Sequence, residues 1–196
     1  MPLSQAADRE KIHNRAISIT AYQRADGLVD VEGHILDIKP FSHHLLDSHR
    51  AAGEPVHDLW LRLTIDKKME VREAEARLDV GAHGICHLVA PNFKDLAGLK
   101  IGPGWNRMVR QRVGRGRGCT HLVEMLAQMA TTAIQAMGAE RAPASKDTES
   151  NIDVPRRLGS EMLNTCYTYN QDSEFVKKYF PEEYRPVKGS NWFKSS

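Results

Sequence analysis

The chain has no long apolar run, no large excess of either charge and no paired cysteines, and each absence closes off a class of function. No stretch of the 196 residues approaches the roughly 20 apolar residues that cross a bilayer. A net charge of +2 demands neither nucleic acid nor an anionic membrane as partner. The cysteines Cys86, Cys119 and Cys166 are odd in number and far apart, which fits reduced thiols in a cytoplasm better than a disulfide framework. The opening MPLSQAADREKIHNR lacks the apolar middle of a signal peptide, no internal repeat stands out, and no Cys-x-x-Cys pair marks a tight metal site. What remains is a soluble cytoplasmic chain with room for one full core and an extension: residues 1–140 as the domain, 141–196 as the extension.

Alternation of apolar and polar residues predicts two hairpins. Ala16 to Tyr22 alternates weakly and reaches Arg24-Ala25-Asp26-Gly27, a turn sequence. On the return strand, from Leu28 to about Ile38, Val29, Val31 and Ile35 share one face and Asp30, Glu32 and His34 the other. A long loop from Pro40 to Pro55 carries His43, His44 and His49. The second hairpin runs from His57 to Ile65, turns at Asp66-Lys67-Lys68 and returns from Met69 to Leu78. His57, Leu59, Leu61, Leu63 and Ile65 line one face; Asp58, Trp60, Arg62 and Thr64 line the opposite one.

Helical periodicity takes over after Gly81. Gly84 to Leu99 reads as one helix bent at Pro91, with Leu88, Phe93, Leu96 and Leu99 as its core residues. A short basic helix opens at Pro103-Gly104-Trp105 and ends at Gly114. The longest helix spans roughly Thr120 to Met137, with Leu122, Met125, Leu126, Met129, Ala133 and Met137 as its apolar stripe and Gly138 as its stop. The fold class this predicts is α+β: an antiparallel sheet of about four strands with helices packed on one face. The last forty-odd residues are too aromatic for a solvated tail and are expected to pack on the domain or on a neighbouring subunit of a homo-oligomer.

Gly118-Cys119-Thr120-His121-Leu122 places a thiol and an imidazole at the start of that longest helix, where unpaired N–H groups and the helix dipole favour thiolate. The pair is either reactive, metal-binding or simply a polar helix start. His121 and Glu124 are three apart and share a face, so the carboxylate can orient the imidazole. His57, with Asp58 beside it, is a second candidate base, although a regular strand points the two apart unless a bulge intervenes. The sheet face bearing Glu32, His34, Trp60 and Arg62, with Arg72 as a candidate extension, offers an apolar wall next to anion-binding donors, as an aromatic acid or phenol requires. A metal, if one is bound, would be zinc or iron on Asp58, Cys86, Cys119 and His121. Without a metal the same groups suit acid–base chemistry. Five arginines between Arg107 and Arg117 make a local positive patch; with no aromatic interleaved among them, carboxylate binding or steering of an anionic substrate fits better than nucleic acid.

Asp26-Gly27-Leu28, Asp37-Ile38-Lys39, Gly53-Glu54-Pro55-Val56-His57-Asp58, Trp60-Leu61-Arg62-Leu63-Thr64-Ile65-Asp66, Ile101-Gly102-Pro103-Gly104-Trp105 and the Gly-Cys-Thr-His-Leu run together resemble a bacterial domain-of-unknown-function family of the DUF2889 type, over about residues 14–138. Proteins of that family resemble soluble members of pathways for aromatic-compound breakdown, and a formaldehyde-releasing lyase acting on lignin-derived aromatics is similar to this chain. The resemblance implies a cofactor-independent carbon–carbon lyase for a small hydroxylated aromatic substrate. His57 or His121 is then the base, Asp58 or Glu124 its orienter and Arg62 the anion-binding group, with Cys119 nearby and Trp60, Tyr167 and Tyr169 walling the ring. The order of hairpin, helix, Leu96-Ala97-Gly98-Leu99 and the Cys119/His121 pair is also similar to the iron–sulfur scaffold and sulfur-acceptor (SufE/NifU-like) fold. That likeness implies instead a metal-binding or sulfur-handling accessory protein. Leu122 departs from it, since the scaffold proteins carry a cysteine there.

Overall fold

A computed structural model describes residues 3–138 and 162–186. The chain divides into two compact units, Met1–Ala139 and Glu140–Ser196. In the first, β1 (Asn14–Gln23), β2 (Val29–Ile38), β5 (Pro55–Ile65) and β6 (Val71–Val80) form a four-stranded sheet in the order β1-β2-β5-β6, antiparallel throughout. The first hairpin closes where Gly27, at φ 85°, supplies the positive dihedral that a tight turn needs. In the second, Asp66 Oδ1 accepts from the N–H groups of Lys68 and Glu70, and Met69 sits in the turn at φ 64° instead of opening the return strand. The loop between β2 and β5 is more ordered than the sequence suggests: it carries a small hairpin of β3 (His43–His44) and β4 (His49–Arg50).

The alternation in β2 is strict. Val29, Val31, Ile35 and Asp37 are buried, while the residues between them are half-buried on the opposite face. The buried face continues through Leu59, Leu61, Leu63 and Ile65 of β5 and is covered by helices. Helix α1 (Trp105–Val113) and helix α2 (Thr120–Gly138) lie beside each other, joined by the Trp105 Nε1–H donating to the Leu126 carbonyl at 3.0 Å. The stripe Leu122, Met125, Leu126, Met129 and Ala133 is fully buried, as its spacing predicts. Met125 comes so close to β2 that a Cβ on Gly33 would stand 2.8 Å from its Sδ, so a side chain there would have to push the methionine aside. The architecture is therefore α+β, with one dry sheet face under helices.

The segment predicted as a Pro91-bent helix is a 3-10 helix, Cys86–Leu96, with Pro91 inside it. Phe93, Leu96 and Leu99 are buried as expected, but Leu88 is 63% exposed and does not belong to the core. Counted from Phe93 and Leu96, position 88 falls off their shared face at both the 3-10 and the α-helical period. None of the described helices is long and apolar enough to cross a membrane.

In the second unit, the short helix α3 (Glu174–Tyr179) is capped by Ser173 Oγ, which accepts from Val176 N–H at 3.1 Å. Tyr169, Phe175 and Phe180 cluster beside it. Tyr167 and Tyr169 belong to this unit. Trp192 and Phe193, which contribute to the predicted packing of the extension, lie outside the described residues.

Candidate acid–base site

Three adjacent strands build the floor of the site in a single row. Arg15 of β1 pairs across to Asp37 of β2, and Asp37 pairs across to His57 of β5. All three point to the helix-covered face. Because β1, β2 and β5 are neighbours, the row needs no bulge within it; the register shifts just beyond, between Asp37 and Ile38. Asp37 is the keystone, with its side chain only 1% exposed. Arg15 grips it with two parallel hydrogen bonds, Nε to Oδ1 and a terminal guanidinium nitrogen to Oδ2, both 2.7 Å. His57 Nδ1–H donates to Oδ2 at 2.8 Å, and His13 Nε2 lies 3.4 Å from Oδ1.

A carboxylate in this position must be paired to be tolerated. Burial alone would raise the Asp37 carboxyl. The hydrogen bonds from Arg15 and His57, together with their charge, outweigh it and hold the carboxyl at about 2. The same hydrogen bond raises the Arg15 guanidinium further, so the pair stays charged at any working pH.

Helix α2 supplies the other wall. Cys119 is the residue just before it, and its carbonyl accepts the first helical bond from Val123 N–H at 3.0 Å. His121, one residue into the helix, turns toward the sheet, so its ring centroid is 4.2 Å from that of His57, tilted by 44°. Cys119 Sγ lies 3.7 Å from His121 Nδ1. Burial lowers the His121 pKa, the charges of His57 and Arg15 lower it further, and Asp37 and Glu124 oppose them. At neutral pH His121 is therefore a neutral imidazole.

The arrangement brings together His57, His121 and Cys119 of the residues singled out from sequence, with Glu124 exposed but near enough for its charge to act on Arg15 and His121. It separates the others. Asp58 points to the opposite face of the sheet, where its Oδ1 is 2.7 Å from His34 Nε2; Asp37, not Asp58, orients His57. His34 stacks on Trp60 with centroids 3.7 Å apart. Arg62, on the same outer face, is paired with Glu75 and lies 3.7 Å from Glu32. Period-two alternation puts Glu32, His34, Asp58, Trp60 and Arg62 on one side of the sheet and the two imidazoles on the other, so they cannot line one pocket. Arg72 is held at the hairpin end by Asp66 and Glu70 and leaves that outer group altogether. Cys86 is half-buried against Gly81 at the start of the 3-10 segment and offers no donor to the imidazole cluster.

Two residues escaped the sequence reading. Asp37 carried a usable signal: it continues the buried register of Val29, Val31, Gly33 and Ile35, so a carboxylate falls on the dry face. Arg15, at the exposed start of a weakly alternating strand, carried none.

Among the described residues, Asp37, His57 and His121 offer three donor atoms within 4.8 Å of one another, the group able to hold a metal ion. Both Asp37 oxygens are already engaged by Arg15, which leaves the imidazoles and Cys119 as the freer donors.

Residues 13–135 match the model of a family described as "Protein of unknown function (DUF2889)". No curated protein and no solved structure matches the chain.

Proposed function

We propose that this chain, which belongs to the DUF2889 family of proteins of unknown function, is a general acid–base enzyme: a cofactor-independent carbon–carbon lyase for a hydroxylated aromatic compound. The observation that carries the reading is the Arg15–Asp37–His57 row facing His121. A carboxylate that accepts from His57 Nδ1–H fixes the ring so that Nε2 keeps its lone pair in the neutral form, which is what a positioned base requires. The coupled second imidazole gives the proton somewhere to go.

The reaction that suits such a site is loss of formaldehyde from a hydroxymethyl side chain. His57 takes the hydroxyl proton, and the O–H electrons become the C=O of formaldehyde. The bond between the side chain and the hydroxymethyl carbon breaks. Its electrons form a new double bond to the benzylic carbon as a quinone methide, formed beforehand when a para-phenol loses its O–H proton and its benzylic hydroxyl or aryloxy group departs as water or a phenol, rearomatises to a phenolate, which is then protonated. The ring itself is the electron sink, so the protein needs to supply only positioned proton carriers. Arg15, whose field reaches His121, is paired with Asp37 and acts on the site by holding that carboxylate. A positioned base of this kind contributes about 10²- to 10⁴-fold. The partner in this reading is a small aromatic substrate, and the setting is the cytoplasm, where the three thiols stay reduced.

The test is a formaldehyde assay on chelator-treated protein with a panel of phenolic compounds bearing hydroxymethyl side chains. Turnover lost in His57→Gln supports the reading. Absence of formaldehyde across the panel, with about one zinc or iron bound per chain and lost in Cys119→Ser, supports the accessory-protein alternative instead.

A further inference from the structure

An open groove of about 920 Å³ lies between α1 and α2, with neither imidazole in its lining. Arg107, Arg110, Arg115 and Arg117 surround it, and Glu124 is the one carboxylate in its lining. Val123 and Ala127, both half-buried, give it an apolar lining, with Val109 and Val113 buried beneath. Arg117 is paired with Asp95 at 2.8 Å. Among the described residues, Arg107, Arg110 and Arg115 have neither a carboxylate partner nor a side-chain hydrogen bond.

The backbone that presents two of these arginines is tightly specified. Gly114 and Gly118 bracket the turn, and a Cβ on either would collide with a carbonyl oxygen, that of Arg110 or of Val113. Between them Arg115 is held at φ 56°, a conformation rare for a side chain of its size. Like charges gathered around one concavity repel one another. Nothing in the fold requires Arg107 and Arg110 of α1 to face Arg115 of the turn, and an anion seated among them would relieve the repulsion.

We infer that this groove binds an organic anion: an apolar, ring-sized body carrying a phosphate or paired carboxylates, with the body on Val123 and Ala127 and the charge on the free guanidinium forks. Guanidinium forks match either oxyanion bidentately. The inference does not depend on the acid–base reading, since neither imidazole lines the groove.

The experiment is calorimetric titration of the full chain at pH 8 with 1-naphthyl phosphate and, separately, naphthalene-1,8-dicarboxylate, with 1-naphthol, inorganic phosphate and a 12-nucleotide single-stranded RNA as comparators. Saturable one-to-one binding of at least one naphthyl anion, tighter than 1-naphthol or inorganic phosphate, is expected. The stronger of the two anions identifies phosphate or carboxylate as the group recognised. Arg107→Gln/Arg110→Gln, on the exposed face of α1 and checked for an unchanged melting temperature, is expected to weaken it by about tenfold or more. Arg77→Gln on the far sheet face leaves it unaltered. No saturable binding of either anion, equal binding in the double variant, equal binding of 1-naphthol, or RNA displacing the anion as the tighter ligand would each overturn the inference.

Discussion

Replacing Asp37 by Asn keeps the shape of the row and removes its charge. A carboxyl that ordinarily ionises at 3.8 and here ionises at about 2 holds its charge more favourably in the fold. The difference corresponds to about 2.4 kcal/mol of stability. Because the folded value is the depressed one, this contribution is complete above about pH 4 and is lost as the pH falls through 2. At pH 3 linkage leaves about 1.3 kcal/mol. Urea unfolding of wild type and Asp37→Asn is therefore expected to differ by about 2–3 kcal/mol at pH 7 and pH 5, and by about half of that at pH 3. The buried amide also leaves the Arg15 guanidinium without its counter-charge, which places the pH 7 value at the upper end of the range. Equal stability of the two proteins at pH 7, or a difference that stays constant down to pH 3, would refute the electrostatic reasoning. In the formaldehyde assay the same variant is expected to lose about 10³- to 10⁴-fold, by analogy with an unoriented histidine in other acid–histidine dyads.

His121→Gln is expected to cost about 10²-fold or more in turnover, measured as initial rate at pH 7.5. With the His121 pKa lowered by burial, the rate is expected to fall only once the pH drops below the ordinary histidine value of 6.5, seen as an acid limb displaced downward in the pH–rate profile. Trp60→Ala and Arg62→Gln, both on the far side of the sheet, are expected to leave turnover within about twofold, because surface changes away from a site have small effects. A large loss in either would place the substrate on the outer face. Gly118→Ala, whose Cβ meets the Val113 carbonyl, is expected to lower stability by about 1–3 kcal/mol in thermal unfolding.

The strands and the long helix were legible because their apolar periods are clean: β2 alternates throughout, β5 alternates from Leu59 to Leu63, and Leu122 to Ala133 follows the helical spacing. His57 and His121 could be picked out as polar groups bordering those apolar faces. Their meeting depends on α2 crossing β1, β2 and β5, which no local pattern encodes. The orienting residue was misjudged for a related reason. Asp58 is next to His57 in sequence but a sheet's thickness away, whereas Asp37 is twenty residues distant and directly across the ladder. Strand order, which makes β2 the neighbour of both β1 and β5, decides this. The Cys86–Leu96 segment differs from its reading because a proline within a short apolar pattern suits a bent α-helix and a 3-10 helix equally well on paper. Trp60, picked out because its neighbours on the strand face are charged, stacks on His34 on the outer face of the sheet and remains partly exposed there.

The central claim is that Asp37 fixes His57 as a metal-free base, and imidazole nitrogen NMR tests it most directly. At pH 8, in ¹⁵N-labelled protein, the account predicts a His57 ring with a proton on Nδ1 and a lone pair on Nε2. That spectrum should be unchanged by a chelator and should lose its tautomer preference in Asp37→Asn. A His57 or His121 nitrogen signal characteristic of metal coordination, abolished by the chelator, would contradict it.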